Sequence, residues 1–469
     1  MKKADCQTMN LKLNTILLSL GFALYFPGNP IFGQKTEEAK KPNIVLLYAD
    51  DLGYGDLSCY GNKLIQTPNL DKMASEGMRF TDFYAPAPIC SPSRAGLLTG
   101  RYPIQMGIQQ VFFPESWTGL PPTETLIPEA LKSSGYVSGL IGKWHLGHHA
   151  PYLPTSQGFD SYFGVPYSND MAGLIYMRDS EPLSDKVDQK YSTQVFTAEA
   201  GNFIKKHAEK PFFLMVAYTM PHVPLHASEG FAGKSKGGLY GDCVEELDWS
   251  AGKLIQLIDS LGLSENTLLL FTSDNGPWLV FGKDGGSAGP LKGGKQFATE
   301  GGMRVPLIAR WKAKIPEGKI NPSVSSQLDF FPTFLDLAGK NLGEWPRIRG
   351  GSMKKQLLQN EAETKRSLAY FSQGKLQAYR SGDWKLFMPY SGNPKSWYRQ
   401  EMAAHDTLLF NLKNDPGEMV NLFEKEKQRV DEIRKEVEIF LQKMGPNPSL
   451  IETKRDPDLS HQKRQRKDK

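Results

Sequence analysis

The chain has few cysteines and little excess charge of either sign. Its 469 residues include 4 Cys, and the formal net charge at pH 7 is +5. So few cysteines exclude a disulfide framework of the kind that stabilises small secreted domains, and Cys59 and Cys243 would form either one disulfide or two buried free thiols. The nearly balanced charge excludes an extended basic surface, so we expect no nucleic-acid partner.

The chain also lacks an apolar run that spans a bilayer comfortably. Residues 16–26 are apolar and follow the basic residues Lys2, Lys3 and Lys12, a pattern that predicts a signal peptide over residues 1–33. We therefore expect an exported protein, periplasmic or secreted, without a stable membrane span; a retained membrane anchor is the alternative. Every Asn-x-Ser/Thr sequence has proline in the middle position, which favours a bacterial source.

Apolar segments before residue 360 predict a sheet that is buried on both faces. Three runs are continuously apolar rather than alternating: residues 43–49, 212–218 and 267–273. Helical patterns lie between them, at residues 69–76, 124–134 and 241–261. Strands that alternate with helices predict an α/β sandwich, which we assign to residues 34–360, with ligands at the carboxyl ends of its strands.

A different pattern begins after residue 360. Four short strands and a charged amphipathic helix predict a smaller α+β subdomain with an antiparallel sheet, over residues 361–450. Its elements are expected at residues 367–372, 376–380, 384–388, 407–411 and 425–443. Residues 451–469 are basic and polar, which predicts a disordered tail.

Acidic and amide side chains follow two of the predicted strands. Asp50 and Asp51 come directly after residues 43–49, and Asp274 and Asn275 come directly after residues 267–273. Oxygen ligands of this kind suit Ca²⁺ or Mg²⁺, and converging carboxylates repel one another without a cation. Each pair taken alone is more typical of a turn or a helix cap.

Cationic and imidazole side chains are further candidates for a polar site. Lys143 and His145 are two residues apart, so an extended backbone would direct both at one oxyanion. His222 follows the strand at residues 212–218, and Lys295 lies in a Gly-rich basic loop. Each of these residues, taken alone, also fits a surface lysine, a structural histidine or a flexible loop.

The run from Cys90 to Arg101 is the most specific pattern in the chain. Its cysteine lies two residues before Pro92 and four before Arg94, and a Leu-Thr-Gly-Arg segment follows. This run resembles the signature of the type I sulfatases, closest in pattern to arylsulfatase A and N-acetylgalactosamine-6-sulfatase. Further stretches resemble the same family: Ala49–Asp56, Gly142–Gly147, Pro166–Asp170, Thr272–Gly276, Gly294–Pro306 and Leu409–Glu418.

The resemblance implies an alkaline-phosphatase-like sandwich with a mixed, largely parallel central sheet, and it makes residues 34–360 the catalytic domain. A maturation enzyme would oxidise Cys90 to formylglycine, whose hydrate attacks sulfur and is held by Arg94. Calcium would be bound by Asp50, Asp51, Asp274, Asn275 and residue 90. The sulfate pocket would be lined by Lys143, His145, Ser168, His222 and Lys295.

The resemblance therefore predicts an exported, calcium-dependent sulfatase that acts on a sulfated carbohydrate. His222 is the candidate to protonate the departing sugar oxygen and His145 to accept a proton from the hydrate, but the sequence leaves these two roles interchangeable. Asn169 stands where arylsulfatase A has a histidine, so aryl specificity does not follow. The alternatives are a phosphomonoester or phosphonate hydrolase of the same fold, and a sulfoglycan-binding protein in which Cys90 is never converted.

Overall fold

The structure is a computed structural model that describes residues 40–392 and 403–451. The predicted signal peptide, residues 1–33, lies outside the described residues, as do residues 452–469 of the predicted tail. The domain limits at residues 34–360 and 361–450 stay predictions. Within the described ranges, no helix combines the length and the apolar character required to cross a bilayer.

Strands and helices alternate through most of the described chain. The helices are α1 (Pro68–Ser75), α2 (Cys90–Thr99), α3 (Ile127–Lys132), α4 (Ser192–His207), α5 (Gly238–Ser260), α6 (Glu300–Met303), α7 (Phe330–Leu337), α8 (Lys354–Gln359) and α9 (Lys427–Met444). The strands are β1 (Asn43–Ala49), β2 (Met78–Phe80), β3 (Phe83–Tyr84), β4 (Val137–Lys143), β5 (Ser161–Val165), β6 (Ile175–Arg178), β7 (Glu181–Lys186), β8 (Phe212–Ala217), β9 (Thr267–Ser273), β10 (Leu307–Arg310), β11 (Lys319–Asn321), β12 (Ser325–Ser326), β13 (Ser367–Ser372), β14 (Lys375–Ser381), β15 (Trp384–Phe387) and β16 (Leu408–Asn411).

A mixed sheet forms the centre of the fold, in the order β11-β2-β10-β9-β1-β8-β4-β5-β6-β7. Its central strands, from β9 to β5, run parallel, and antiparallel pairs flank them on both sides. Alternate residues of β1 enter two cores, Leu46 and Tyr48 on one face and Val45 and Leu47 on the other. Because both faces are covered, the strands carry no polar alternation, and the predicted α/β sandwich is confirmed.

The three strands predicted from apolar runs are neighbours at the middle of this sheet. They stand in the order β9-β1-β8, and the register pairs Ala49 at the end of β1 with Ser273 at the end of β9. Parallel strands in register end at the same edge of a sheet. The polar residues that follow β1, β8 and β9 therefore meet at one place, which is where ligands collect in open α/β sheets.

The strands β13 to β16 form a separate antiparallel sheet, which confirms the predicted smaller subdomain. One face of this sheet packs on α9 and shares an apolar core with Tyr102 and Leu328 of the larger domain. The other face, through Tyr370 and Phe387, packs against Met303 of α6. The subdomain is therefore joined to the larger domain by two apolar contacts rather than by a flexible link.

One predicted helix is much shorter than expected. The helix expected at residues 124–134 is limited to α3, because Pro128 lies in its first turn and Glu129 accepts the backbone N–H of Leu126 before it. Glu124 instead forms a buried ion pair with Arg101.

The two cysteines whose pairing the sequence left open are free thiols. Cys59 and Cys243 are not joined to each other, and burial raises the pKa of Cys59 to about 12. The structure therefore adopts the alternative of two free thiols, but only Cys243 is buried and Cys59 is half-buried.

We expect Gly142→Ala to destabilise the protein strongly. Gly142 precedes Lys143 at the end of β4, its φ is +105°, and an added Cβ would lie 1.9 Å from the carbonyl oxygen of Ala217. Gly135 is the control, because its φ is +83° while the space around it is open. In thermal denaturation, the free energy of unfolding should fall by about 1–2 kcal/mol for Gly135→Ala and by more than about 4 kcal/mol for Gly142→Ala. If both variants lost the same free energy of unfolding, the contact between the added Cβ and the carbonyl oxygen of Ala217 would not be the cause.

Candidate active site

Two turns that carry carboxylates meet at the carboxyl edge of the sheet. Asp50 and Asp51 follow β1, and Asp274 and Asn275 follow β9; all four side chains are buried. The backbone N–H of Asp274 donates to the carbonyl of Ala49 (3.1 Å), and the N–H of Asp51 donates to Oδ1 of Asp274 (3.1 Å). Both turns are thus held together by the register of the strands that precede them.

Cys90 begins α2, and its side chain joins this acidic cluster. Its Sγ lies 3.5 Å from Oδ1 of Asp50. Ligand atoms within 4.8 Å of one another come from Asp50, Asp51, Cys90 and Asp274. Burial raises the pKa of the Cys90 thiol well above its usual range, although two nearby ammonium groups oppose the shift. A neutral thiol is a weak nucleophile, so the site does not favour direct cysteine catalysis.

Arg94 and Lys143 neutralise two of the buried carboxylates. Arg94 Nη2 lies 2.9 Å from Oδ2 of Asp274, and Lys143 Nζ lies 2.5 Å from Oδ2 of Asp50. Burial would raise the pKa of Asp50, but Lys143 and further positive groups hold it well below its usual range. Burial, together with the charge of Asp50, raises the pKa of Asp274 to about 7. A second negative charge beside Asp50 is therefore unfavourable unless a further cation is bound.

Lys295 and Ser168 extend the set of donors beyond the carboxylates. Lys295 Nζ lies 2.8 Å from Oδ2 of Asp51 and 4.2 Å from the centre of a Trp278 ring. Ser168 Oγ accepts a hydrogen bond from Lys143 Nζ at 3.1 Å. Ammonium and hydroxyl donors grouped in this way suit an oxyanion.

His145 is held as a neutral imidazole with one available lone pair. Its Nε2 lies 3.0 Å from the carbonyl of Phe112, which only accepts, so Nε2 carries the proton. Its Nδ1 is buried and has no hydrogen-bond partner among the described residues. Burial, and then the charge of Lys143, lower the pKa of His145 well below its usual range. Nδ1 can therefore accept a proton.

The backbone between Lys143 and His145 is not extended, so the prediction that an extended segment directs both side chains is wrong. His145 has a φ of +61°. The chain turns there because the N–H groups of Trp144 and His145 donate to the carbonyls of Val165 and Pro166 (3.0 and 3.1 Å). These contacts come from a distant segment, which a local sequence pattern does not show.

His222 lies beyond the end of β8, next to Asp51. Its Nδ1 donates to the carbonyl of Val223 at 2.5 Å, and its Nε2 lies 3.5 Å from Oδ2 of Asp51. Burial lowers the pKa of His222, and Asp51 opposes that shift. Asn169, which departs from the pattern of arylsulfatase A, donates through Nδ2 to the carbonyl of His222 (3.2 Å). Asn169 therefore supports the loop that presents His222.

Two supporting residues were missed by sequence reasoning. Gln327 donates through Nε2 to the carbonyl of Ser273 (2.6 Å), at the end of β9, and its Oε1 accepts from Tyr48 (2.8 Å). Ser93 Oγ donates to the carbonyl of Asp274 (2.5 Å). Ser93 lies inside the run that begins at Cys90, which could have indicated it, whereas Gln327 is distant in sequence from every motif.

The acidic cluster fits a divalent cation. Asn275 Nδ2 donates to Oδ1 of Asp51 (2.7 Å), while Asn275 Oδ1 is buried and has no hydrogen-bond partner in the described part of the chain. Buried amide oxygens are rarely left without a partner. One such oxygen beside three carboxylates is a donor set that suits Ca²⁺.

A buried acidic cluster beside ammonium groups, at the carboxyl edge of a mixed α/β sandwich, is the arrangement of a hydrolase that acts on anionic esters. Two protein-family models match the chain and identify the class of ester. The sulfatase family model matches residues 42–340, and the model of the C-terminal region of N-sulphoglucosamine sulphohydrolase matches residues 294–445. The chain belongs to the sulfatase family and is a sulfuric ester hydrolase.

Individual relatives agree with this family. N-acetylgalactosamine-6-sulfatase of Sus scrofa is 38% identical over 447 residues, which is 85% of each chain. Arylsulfatase A of Homo sapiens is 36% identical over 426 residues, 82% of this chain and 84% of the relative. A solved 6S-sulf structure, from work on glycosaminoglycan metabolism by Bacteroides thetaiotaomicron, has a TM-score of 0.79 at 28% identity and covers 86% of this chain and 99% of that chain. The predicted likeness to arylsulfatase A and N-acetylgalactosamine-6-sulfatase is confirmed.

Proposed function

We propose that the protein is an exported, calcium-dependent sulfatase that hydrolyses a sulfate ester of a sulfated carbohydrate, with a formylglycine made from Cys90 as its nucleophile. The observation that carries this proposal is the cluster of Cys90 and three carboxylates within 4.8 Å, with Lys143 and Lys295 bound to two of those carboxylates. Export, to the periplasm or the medium, is supported by the sequence of residues 1–33.

The residues around Cys90 suit both groups that this function requires. Asp50, Asp51, Asp274, Asn275 and residue 90 would hold calcium, which would supply positive charge to offset the sulfate and to lower the pKa of a hydroxyl at residue 90. A formylglycine at position 90 would supply, as its hydrate, an oxygen nucleophile in place of a neutral buried thiol. A maturation enzyme that oxidises Cys90 is the partner that this chemistry demands.

Lys143 and Lys295 bind and orient the sulfate group. Both ammonium groups are buried, so their charges are little screened where negative charge develops on the sulfate oxygens. Arg94 donates to the carbonyl of Lys143 (2.9 Å) as well as to Asp274, so it fixes the strand end from which Lys143 projects. Ser168, bonded to Lys143, adds a hydroxyl donor.

The two histidines take different roles in proton transfer because their surroundings differ. His145 carries its proton on Nε2, toward Phe112, so Nδ1 is the acceptor for a proton released at position 90. His222 places Nε2 3.5 Å from Oδ2 of Asp51, whose charge opposes the lowering of the His222 pKa by burial. Since Nδ1 of His145 is the acceptor, His222 is the histidine that we assign to donate a proton to the departing sugar oxygen.

The proposed substrate is a 6-sulfated amino sugar of a glycosaminoglycan. One relative is named for N-acetylgalactosamine 6-sulfate, and the solved 6S-sulf structure belongs to glycosaminoglycan metabolism. A panel of defined sulfated saccharides, together with para-nitrophenyl sulfate and phosphate, tests this choice. We expect the fastest turnover with N-acetylgalactosamine 6-sulfate, and faster cleavage of the aryl sulfate than of the aryl phosphate. Faster phosphate cleavage would instead favour a phosphomonoester hydrolase.

We expect Asp51→Ala to weaken calcium binding by about tenfold or more, because the variant loses a charged ligand. Calorimetric titration of the metal-free protein with calcium measures this change. Asp170→Ala is the control, since Asp170 is exposed and is expected to leave the affinity unchanged. Equal affinities of the two variants would remove Asp51 from the ligand set.

A further inference from the structure

The stretch Leu409–Glu418 resembles the sulfatase family, yet it contributes no residue to the acidic cluster or to the donors around it. It ends in Glu418, which is 1% exposed and lies outside the acidic cluster around Cys90. A buried carboxylate requires partners, so the contacts of Glu418 indicate what this stretch does. Those contacts lead to the loop that carries Lys295.

Glu418 belongs to a buried ion triad with Lys385 and Glu300. Its Oε2 accepts the backbone N–H of Glu300 (2.9 Å), and its Oε1 lies 2.8 Å from Lys385 Nζ. Lys385, on β15, also lies 2.9 Å from Oε1 of Glu300, and both side chains are fully buried. The hydroxyls of Tyr84 and Tyr370 also donate to the Glu300 carboxylate, at 2.6 and 3.1 Å. The ion triad thus joins the C-terminal sheet to the start of α6.

The same sheet holds the loop next to Lys295. Ser372, at the end of β13, donates through Oγ to the carbonyl of Gln296 (3.0 Å). The N–H of Gln296 donates to the carbonyl of Pro88 (2.7 Å), just before α2. The loop from Lys295 to α6 is therefore fixed by the subdomain at two points, Gln296 and Glu300.

The helix α6 also contacts the turn that carries Asn275. The N–H of Gly276 donates to the carbonyl of Gly302 in α6 (3.0 Å). A Cβ at Gly276 would lie 1.8 Å from the carbonyl oxygen of Gly301, so this turn and α6 are in tight contact.

We propose that Glu418 and Lys385 are positioning residues for Lys295: the ion triad fixes the loop that presents this ammonium group to the sulfate. Neither residue belongs to the acidic cluster or to the set of donors around it, so their effect passes through the loop. This role rests on the proposed function, which makes Lys295 a sulfate-binding group.

Glu418→Gln tests the role without changing side-chain volume. One carboxylate oxygen of Glu418 accepts from the Glu300 N–H and the other lies in an ion pair with Lys385 at 2.8 Å, whereas an amide carries no charge and has a single acceptor oxygen. Glu424→Gln is the matched control, because Glu424 lies in the same subdomain and its side chain is 79% exposed. In matured, calcium-loaded protein we expect kcat/KM for para-nitrophenyl sulfate to fall about tenfold or more in Glu418→Gln and to stay unchanged in the control.

A double-mutant cycle with Lys295→Ala separates positioning from general stability. If Glu418 acts through Lys295, Glu418→Gln should lower kcat/KM by less than about twofold once Lys295 is absent. A similar loss in both backgrounds overturns the positioning role. If Lys295→Ala alone leaves kcat/KM unchanged, that result overturns the proposed function instead. Should Glu418→Gln fail to fold, Ser372→Ala enters the same cycle, and additivity there overturns the positioning role.

Discussion

Cys90→Ala is expected to abolish turnover while the protein still folds. The variant removes the atom that lies 3.5 Å from Asp50, and with it any precursor of a nucleophile at the start of α2. Loss of a covalent nucleophile lowers kcat by about 10⁴-fold or more. Only one sulfur atom is removed from a buried position, so the free energy of unfolding should fall by no more than about 1–2 kcal/mol.

Cys59→Ala is the control for this experiment. Cys59 is a free thiol outside the acidic cluster, and its replacement should leave turnover unchanged. The mass of the peptide that contains position 90, measured in protein from the native host, should show an aldehyde in place of the thiol. Retained turnover in Cys90→Ala would refute the nucleophile assignment, and an unmodified thiol in the host protein would favour a sulfoglycan-binding protein.

Arg94→Met is expected to lower the free energy of unfolding by about 3–5 kcal/mol in the absence of calcium, because it leaves buried carboxylates without their partner. Arg94 is 1% exposed, lies 2.9 Å from Asp274 and 3.5 Å from Asp50, and also donates to the carbonyl of Lys143. Methionine replaces most of the volume but none of the positive charge. Denaturant unfolding with and without calcium measures the loss, and calcium should restore part of it.

Arg434→Met provides the comparison. The Arg434 side chain is 50% exposed and lies 3.7 Å from Asp431 on α9, so its loss should cost no more than about 1 kcal/mol. Two results would contradict the conclusion that Arg94 neutralises the charges of Asp50 and Asp274. One is a similar loss of unfolding free energy in both variants, and the other is a loss in Arg94→Met that calcium does not reduce.

The strand ends of the site could be predicted from the sequence because the cause is local. The apolar run before Asp50 predicts a strand buried on both faces, and the run before Asp274 predicts another. In a parallel sheet, neighbouring strands of this kind end side by side, so Asp50, Asp51, Asp274 and Asn275 converge once the two strands are neighbours, as they are here. The register that pairs Ala49 with Ser273 then makes this convergence close.

Other features of the site could not be predicted, because they depend on contacts between distant segments. The turn at His145 follows from bonds to Val165 and Pro166, and the free Nδ1 of His145 follows from the position of Phe112. Gln327 reaches the end of β9 from a segment without any motif. A single sequence offers no signal for such pairings, since nothing in the local pattern specifies the partner.

The C-terminal sheet and the larger domain share an apolar interface, called the seam here, which limits where this polypeptide can be divided. Tyr102 and Leu328 share one core with Leu386 and Val430, so a fragment that stops near residue 360 would expose this seam to water. Such a truncation would be prone to aggregate rather than survive as a minimal enzyme. Chimaeras that exchange C-terminal segments with relatives would have to carry both sides of the seam together.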